Sequence, residues 1–267
     1  MAAVAAAMRP DLLEQARAEL GVDPFERIGE GTHLAQPALY CASLAHFKQA
    51  GSPRGAMPAG HSLGELAALV AGGALDAAEG LRLAVLRGRL MEDAAAATPG
   101  GMLAVLGGEE DAVRELAASF ELTVANDNAP GQVVLSGAAE ALDEARRQAR
   151  ADGLKAIRLP VAGAFHSPLM AGAAEGFEAA LAQVEFRPPE LPVYSSTATE
   201  PFTDIRAGLT AALTNPVRWQ GTLKRMRAAG ADAFLETGPG DVLTGLVRRS
   251  LDGVEARSLA EQEPARV

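Results

Sequence analysis

Gly60-His61-Ser62-Leu63-Gly64 stands directly before a run of strong helix formers that begins at Leu63 and continues to about Val70, ahead of Gly72-Gly73. A serine with glycines two residues to either side, at the entrance to a helix, has the form of a nucleophile elbow. In such a turn a strand meets a helix so sharply that the serine backbone is strained and its hydroxyl stands exposed. The following backbone N–H, that of Leu63, then points to where an oxyanion would form at the helix N-terminus. The same residues also fit a glycine-bounded turn with a capping serine. Ala56-Met57-Pro58-Ala59 is poor in strand formers, so the strand half of the elbow rests on the motif itself.

Upstream of this stretch, Asp11 to Leu20 carries Leu12, Leu13, Ala16 and Leu20 at the spacing of one helical face, with Gly21 as its stop. A second helix is predicted over Pro37 to Gln49, with Pro37 in its first turn. Downstream, a long helix is expected over Ala77 to Ala97. The pattern then changes. Strands at Met102 to Leu106, Leu122 to Ala125, Gln132 to Ser136 and Lys155 to Leu159 alternate with helices at Glu109 to Phe120 and Ala138 to Ala151. The second and third strands are joined by the turn-rich Asn126 to Gly131. The order β-α-β-β-α-β is that of a ferredoxin-like unit. It is expected as an insertion (residues 99–161) in a larger α/β domain made of residues 1–98 and 162–267. That larger domain resumes with helices at about Pro168 to Val184, Gly208 to Leu213 and Thr222 to Gly230, and with core strands at Val193 to Ser195 and Ala233 to Leu235. Residues from about Asp252 are polar and are expected to be loosely held.

Composition narrows the function classes. The chain has 267 residues, 48% hydrophobic and 22% charged, enough to build a full core. Its net charge of −10 repels nucleic-acid backbones and anionic lipid, so neither is an expected partner. A single cysteine, Cys41, leaves no internal disulfide and no multi-cysteine metal site, and reads as a small buried hydrophobe in a reducing compartment. No stretch approaches the ~18 apolar residues of a membrane span. The Ala-rich Met1 to Met8 lacks the positive leader of a secretory signal, and a cytoplasmic location is expected.

A serine hydroxyl needs a base to take its proton. Four histidines are available. His33 and His46 fall in or beside the first helices, where surface or capping roles are expected. His61 adjoins the serine on a turn that directs neighbouring side chains apart, and reads as a support of the elbow. His166, in the loop Ala164-Phe165-His166-Ser167-Pro168, is the remaining base candidate, with a satisfied structural histidine as its alternative.

Taken together, Gly60 to Glu65, Arg87-Gly88, Gly131-Gln132-Val133-Val134, Gly163 to Met170, Asn215-Pro216-Val217-Arg218-Trp219 and Glu236 to Leu243 resemble the malonyl-CoA:acyl carrier protein transacylases. The resemblance runs in order from about Thr32 to about Leu251. It implies an α/β-hydrolase-like larger domain with a parallel sheet and a ferredoxin-like insertion. It also implies a nucleophile at Ser62, a general base and acid at His166, and an oxyanion-hole N–H at Leu63. Arg87 matches the arginine that holds the malonyl carboxylate, a role suited to a planar fork of donors; on its own it would read as a solvated helix-face charge. The imidazole of His166 would be oriented by a main-chain carbonyl near Ala212. Gln36 matches a pocket-lining position, and Phe165 resembles the malonyl-selecting form, in which an aromatic ring leaves little room for an α-methyl branch. The chain departs from the family pattern at its start. It lacks the apolar strand and the Gly-Gln-Gly-Ser-Gln loop, whose first glutamine is a second oxyanion donor, so Met1 is expected to lie just past that loop. Loss of such a donor costs about 100- to 1,000-fold in rate.

The expected reaction moves a malonyl group from malonyl-CoA to the phosphopantetheine thiol of acyl carrier protein through a malonyl-serine, in fatty acid or polyketide synthesis. No metal or resident cofactor is expected, coenzyme A entering as the substrate thioester. Docking of an acidic carrier would need a local basic patch, for which Arg146, Arg147, Arg150 and Lys155, or Lys224, Arg225 and Arg227, are candidates. Two alternatives are a serine hydrolase or thioesterase of the α/β type, which would add an acidic triad member, and a truncated, weakly active carrier-protein binder.

Overall fold

The structure, a computed structural model, describes residues 1–53 and 56–260; residues 261–267 of the expected larger domain lie outside them. The chain opens with five helices: α1 (Ala2–Met8), α2 (Pro10–Leu20), α3 (Thr32–Gln49), α4 (Gly64–Ala71) and α5 (Ala77–Ala97). α2 starts on Pro10 and stops at Gly21, whose φ of 73° is the left-handed cap that only glycine adopts without strain. Asp76 caps α5 by accepting from Ala78 N and Glu79 N. α3 begins at Thr32, five residues before the predicted start, and takes Pro37 into its second turn. The reason is tertiary: Glu92 of α5 accepts the His33 N–H and takes over the capping of the exposed first turn. α3 and α5 pack closely because Gly88 leaves room for the Thr32–His33 backbone, and the Tyr40 hydroxyl donates to Ala77 O.

The middle of the chain gives β1 (Gly100–Leu106), α6 (Glu110–Ser119), β2 (Thr123–Ala129), β3 (Gln132–Ala138), α7 (Ala139–Ala151) and β4 (Lys155–Arg158), in the predicted order. The strands lie as β4-β1-β3-β2 with antiparallel neighbours, and β5 (Val217–Arg218) adds to β2 in parallel, stitching this sheet to the later chain. One face carries Leu103, Val105, Val133 and Leu135 against α6 and α7. The other carries Met102, Ala104, Ala125 and Val134 against Phe165 and Leu159. The predicted turn Asn126 to Gly131 is shorter than its composition suggests. β2 runs through Ala129, its register shifts at Val124/Asn126 and Asp127/Ala129 absorb the Asn-rich run as irregular strand, and only Pro130-Gly131 turns.

The rest supplies a short 3-10 turn (Pro168–Met170), α8 (Ala171–Leu181), α9 (Ile205–Ala211), α10 (Trp219–Ala228), β6 (Ala233–Glu236), α11 (Val242–Ser250) and β7 (Glu255–Ser258). The expected core strand Val193 to Ser195 is reduced to bridges at Tyr194, one of them parallel to Ala59. Pro58 and Pro192 flank this pairing and have no N–H to extend a ladder. Of the expected loose end, 261–267 lies outside the described residues, and 253–260 is held rather than loose: β7 pairs in parallel with β6, and Ser258 is fully buried with its hydroxyl donating to Gly240 O. Burial and pairing outweigh its polar composition. The main core gathers α1 to α5, α8 and α9 around Tyr40, Leu66, Leu69, Leu81 and Phe177.

Candidate active site

The segment 56–60 delivers the chain to the turn through the Ala59–Tyr194 bridge and the Tyr194 N–H to Pro58 O hydrogen bond. Ser62 sits at φ 53°, in the left-handed region. A Cβ on Gly60 would lie 1.9 Å from the carbonyl carbon of Gly64, so glycine is obligatory there, whereas a Cβ on Gly64 would meet nothing within 4 Å. The motif therefore has one sterically required glycine, not two. Leu63 is the N-cap of α4, where first-turn N–H groups have no intrahelical acceptor.

His166, also at positive φ (57°) and 4% exposed, brings its Nε2 to 2.8 Å from Ser62 Oγ. Its Nδ1 lies 2.8 Å from the carbonyl oxygen of Ala212. A carbonyl only accepts, so Nδ1 carries the proton and Nε2 offers its lone pair to the serine O–H. The orienting group is a main-chain carbonyl where a hydrolase triad places a carboxylate. Burial, then the charge of Arg87, then His61, push His166 down to about 3, so its imidazole is neutral across the working pH range.

Arg87 projects from α5 and is 4% exposed. Its Nη1 donates to Gln36 Oε1 at 2.8 Å and its Nη2 to Ser62 Oγ at 3.2 Å. Gln36 is held in turn by a 3.3 Å contact from Nε2 to Met91 Sδ. Burial lowers Arg87 to about 10, which leaves it charged at neutral pH. Thus Ser62, Leu63, Arg87, Gln36 and His166 meet in one place. Phe165, beside His166, is partly buried and packs against both the main core and the inner face of the small sheet.

Three partnerships were not visible in the sequence. His61 Nε2 donates to Asn128 Oδ1 at 2.8 Å, and its ring meets Trp219 edge-on at 5.6 Å between centroids. Glu65, 1% exposed, accepts at Oε1 from Ser196 N (2.7 Å), Ser196 Oγ (2.9 Å) and Ser195 Oγ (3.3 Å). Burial raises its carboxyl to about 7. His46 is 1% exposed with Nδ1 3.2 Å from Gly238 O, a core histidine and not the expected surface or capping residue. It is buried because β6 and its following loop, far along the chain, fold over α3. His33 does pair at the surface, with Glu92, at 2.6 Å. Gly60, His61, Leu63 and Gly64 also border an apolar cavity of about 790 Å³.

The two basic runs differ in placement. α7, bearing Arg146, Arg147 and Arg150, covers the sheet face opposite the one that meets Phe165. α10, bearing Lys224, Arg225 and Arg227, begins at Trp219 against His61.

The chain matches the acyl transferase domain family over residues 25–264. It is 37% identical over 266 residues to the malonyl CoA-acyl carrier protein transacylase of Escherichia coli K12, covering 92% of this chain and 86% of that one. It is 38% identical over 283 residues to the polyketide biosynthesis protein ThaF of Burkholderia thailandensis; there 99% of this chain spans only 24% of a much longer protein. Among solved structures, a malonyl-transacylase in complex with its type II polyketide acyl-carrier protein superposes with a TM-score of 0.87 at 34% identity, over 97% of this chain and 91% of that one.

Proposed function

The chain belongs to the acyl transferase domain family, and from that membership we propose the roles of its residues in malonyl transfer from malonyl-CoA to acyl carrier protein. The protein is an acyltransferase of fatty acid or polyketide synthesis, with malonyl-CoA and the carrier protein as its two partners. Ser62 is the nucleophile. Its Oγ attacks the thioester carbonyl while its proton passes to His166 Nε2. The oxyanion is met by the Leu63 N–H, and Arg87, steadied by Gln36, holds the distal carboxylate. As the C–S bond breaks, His166 returns the proton to the coenzyme A sulfur. The pantetheine thiol of the carrier then gives its proton to His166, attacks the malonyl-serine and leaves with the acyl group. Coenzyme A takes part as substrate, and no step of this route calls on a metal. Phe165 sets the shape of the acyl pocket.

The observation that carries this reading is the chain Ala212 O, His166, Ser62 Oγ, with the Arg87 fork at the serine. A main-chain acceptor behind the imidazole favours it over an α/β serine hydrolase. We read residues 99–161 as a ferredoxin-like subdomain, supported by the β4-β1-β3-β2 order, inserted in an α/β-hydrolase-like domain of residues 1–98 and 162–267. The carrier is assigned to the α10 side, since the α7 run faces away from the pocket. The test is transfer of labelled malonyl to holo carrier protein. Parallel lines in double-reciprocal plots, and loss of both half-reactions in His166→Ala, are expected; intersecting lines would contradict release of coenzyme A before the carrier enters.

A further inference from the structure

Arg87 touches the nucleophile itself. Its Nη2 donates to Ser62 Oγ at 3.2 Å while Nη1 is taken by Gln36, so the fork intended for a carboxylate is engaged with the serine that must attack. Its full positive charge also faces the base. His166 is surrounded by Arg87 from α5, by His61 from the elbow, and by the carbonyl of Ala212 and the backbone of Asn215 from the chain after α9. Only those backbone groups favour an imidazolium; both charged or chargeable neighbours oppose it. On the other side of Arg87 stands Glu65, whose Oε1 is committed to Ser195 and Ser196 and whose burial favours the uncharged acid. Among the described residues Glu65 is the one carboxyl whose charge favours the Arg87 cation, and its preference for the acid form makes it a weak counter-charge.

We propose that Arg87 restrains Ser62 and His166 before substrate binds, and that the substrate's own carboxylate lifts both restraints, so that malonyl is selected in the acylation step as well as in binding. This rests on the residue roles assigned above. A carboxylate bound in the fork takes up the Nη donors and frees the Oγ lone pair for attack. It also cancels the charge that opposes imidazolium formation. The Oγ–carbonyl bond then forms, the Oγ proton moves to His166 Nε2, the C–S bond breaks, and the proton passes to the departing sulfur. An acetyl thioester, or water alone, leaves the guanidinium uncompensated, so the base stays weak and the serine stays engaged.

The experiment is a nitrogen-15 NMR titration of the full chain labelled at histidine. The probes are a malonyl-CoA analogue with a methylene in place of the thioester sulfur and its acetyl counterpart. The malonyl analogue is expected to raise the His166 midpoint by about one unit or more, as a removed neighbouring charge does, while the acetyl analogue leaves it in place. In Arg87→Gln the midpoint is raised in the empty protein and the malonyl analogue adds nothing; in Arg87→Lys, which keeps the charge, it stays low. Equal midpoints with the two analogues, or an unmoved midpoint in a folded Arg87→Gln, would overturn the proposal. Intact mass with ordinary malonyl-CoA separates the two failures. A Ser62 adduct with an unmoved His166 defeats the gate alone, and no adduct in the folded wild-type protein defeats the underlying reading.

Discussion

Ser62 and His166 both hold left-handed backbone conformations, φ 53° and 57°, and the 2.8 Å hydrogen bond between them joins two strained residues. Such a conformation costs a non-glycine residue about 1–2 kcal/mol. Ser62→Gly is accordingly expected to melt higher than Ser62→Ala, by about 1 kcal/mol in urea denaturation, while both lose acylation; equal stabilities would show the turn to be unstrained. His166→Ala should lower the acylation rate by about 100- to 10,000-fold, the usual worth of a general base. Because burial and the Arg87 charge hold His166 down to about 3, kcat/KM for malonyl-CoA should show no acid limb from this residue near pH 6.5. Protonation, and with it loss of the base, comes only as pH falls toward 3. At this scale the motifs and the resemblance singled out the serine, the base candidate and the arginine, three side chains that meet within hydrogen-bond distance at Ser62 Oγ; their roles are those proposed above. The sequence marked His61 as a support of the elbow but was silent on the partners of His61 and Glu65, since Asn128, Ser195 and Ser196 come from distant chain, and it was wrong on His46 for the same reason.

Among the elements, two glycines set how closely backbones approach around the site. Gly60 is pressed against Gly64, and Gly88 of α5 faces the start of α3, where an added Cβ would sit 2.8 Å from Thr32 O and 2.9 Å from His33 Cα. Neither neighbour is a side chain that can swing aside. Gly88→Ala is expected to destabilise the protein by about 1–3 kcal/mol, the cost of overpacking, and to raise KM for malonyl-CoA by spreading Gln36 on α3 from Arg87 on α5. Gly172→Ala, in α8 where an added Cβ meets nothing within 4 Å, serves as control and should be neutral or slightly stabilising. An unchanged denaturation midpoint in Gly88→Ala would contradict the packing described. The one-face spacing of Leu12, Leu13, Ala16 and Leu20 made α2 legible, and α5, α6 and α7 were expected close to their observed bounds. The elements missed or misplaced depend on partners instead: the early start of α3 on Glu92, the extension of β2 on pairing with β3, and β7 on the edge of β6.

Across the whole molecule, the site is assembled from α3, α5, the elbow and the loop after β4, and the His166 imidazole is aimed by the carbonyl of Ala212 at the end of α9. Glu65 ties this assembly together. Its carboxyl joins the first turn of α4 to Ser195 and Ser196, next to the Tyr194 that holds the strand side of the elbow. Burial raises it from 4.5 to about 7, so the fold prefers the acid form. That preference contributes stability fully below about pH 4.5, and the contribution is lost as pH rises through 7. On a per-unit cost of about 1.4 kcal/mol, the loss amounts to about 3 kcal/mol. Glu65→Gln keeps the Oε1 acceptor without the ionisation, so its stability relative to the wild-type protein should improve between pH 4.5 and 8; a constant difference would show the carboxyl to be ionised throughout. Among the described residues no helix is long and apolar enough to cross a membrane. The alternation of helix and strand patterns made the order of elements from β1 to β4 readable, whereas the short pairings at Tyr194 and β5 are fixed only by tertiary contact.

The central claim is that Ser62 carries the malonyl group. Intact-protein mass spectrometry after brief incubation with malonyl-CoA, on the wild-type chain and on Ser62→Ala, tests it directly. A malonyl-sized adduct present in the first and absent in the second is the result expected. An adduct that survives in Ser62→Ala, or none in a folded wild-type sample, would contradict the account.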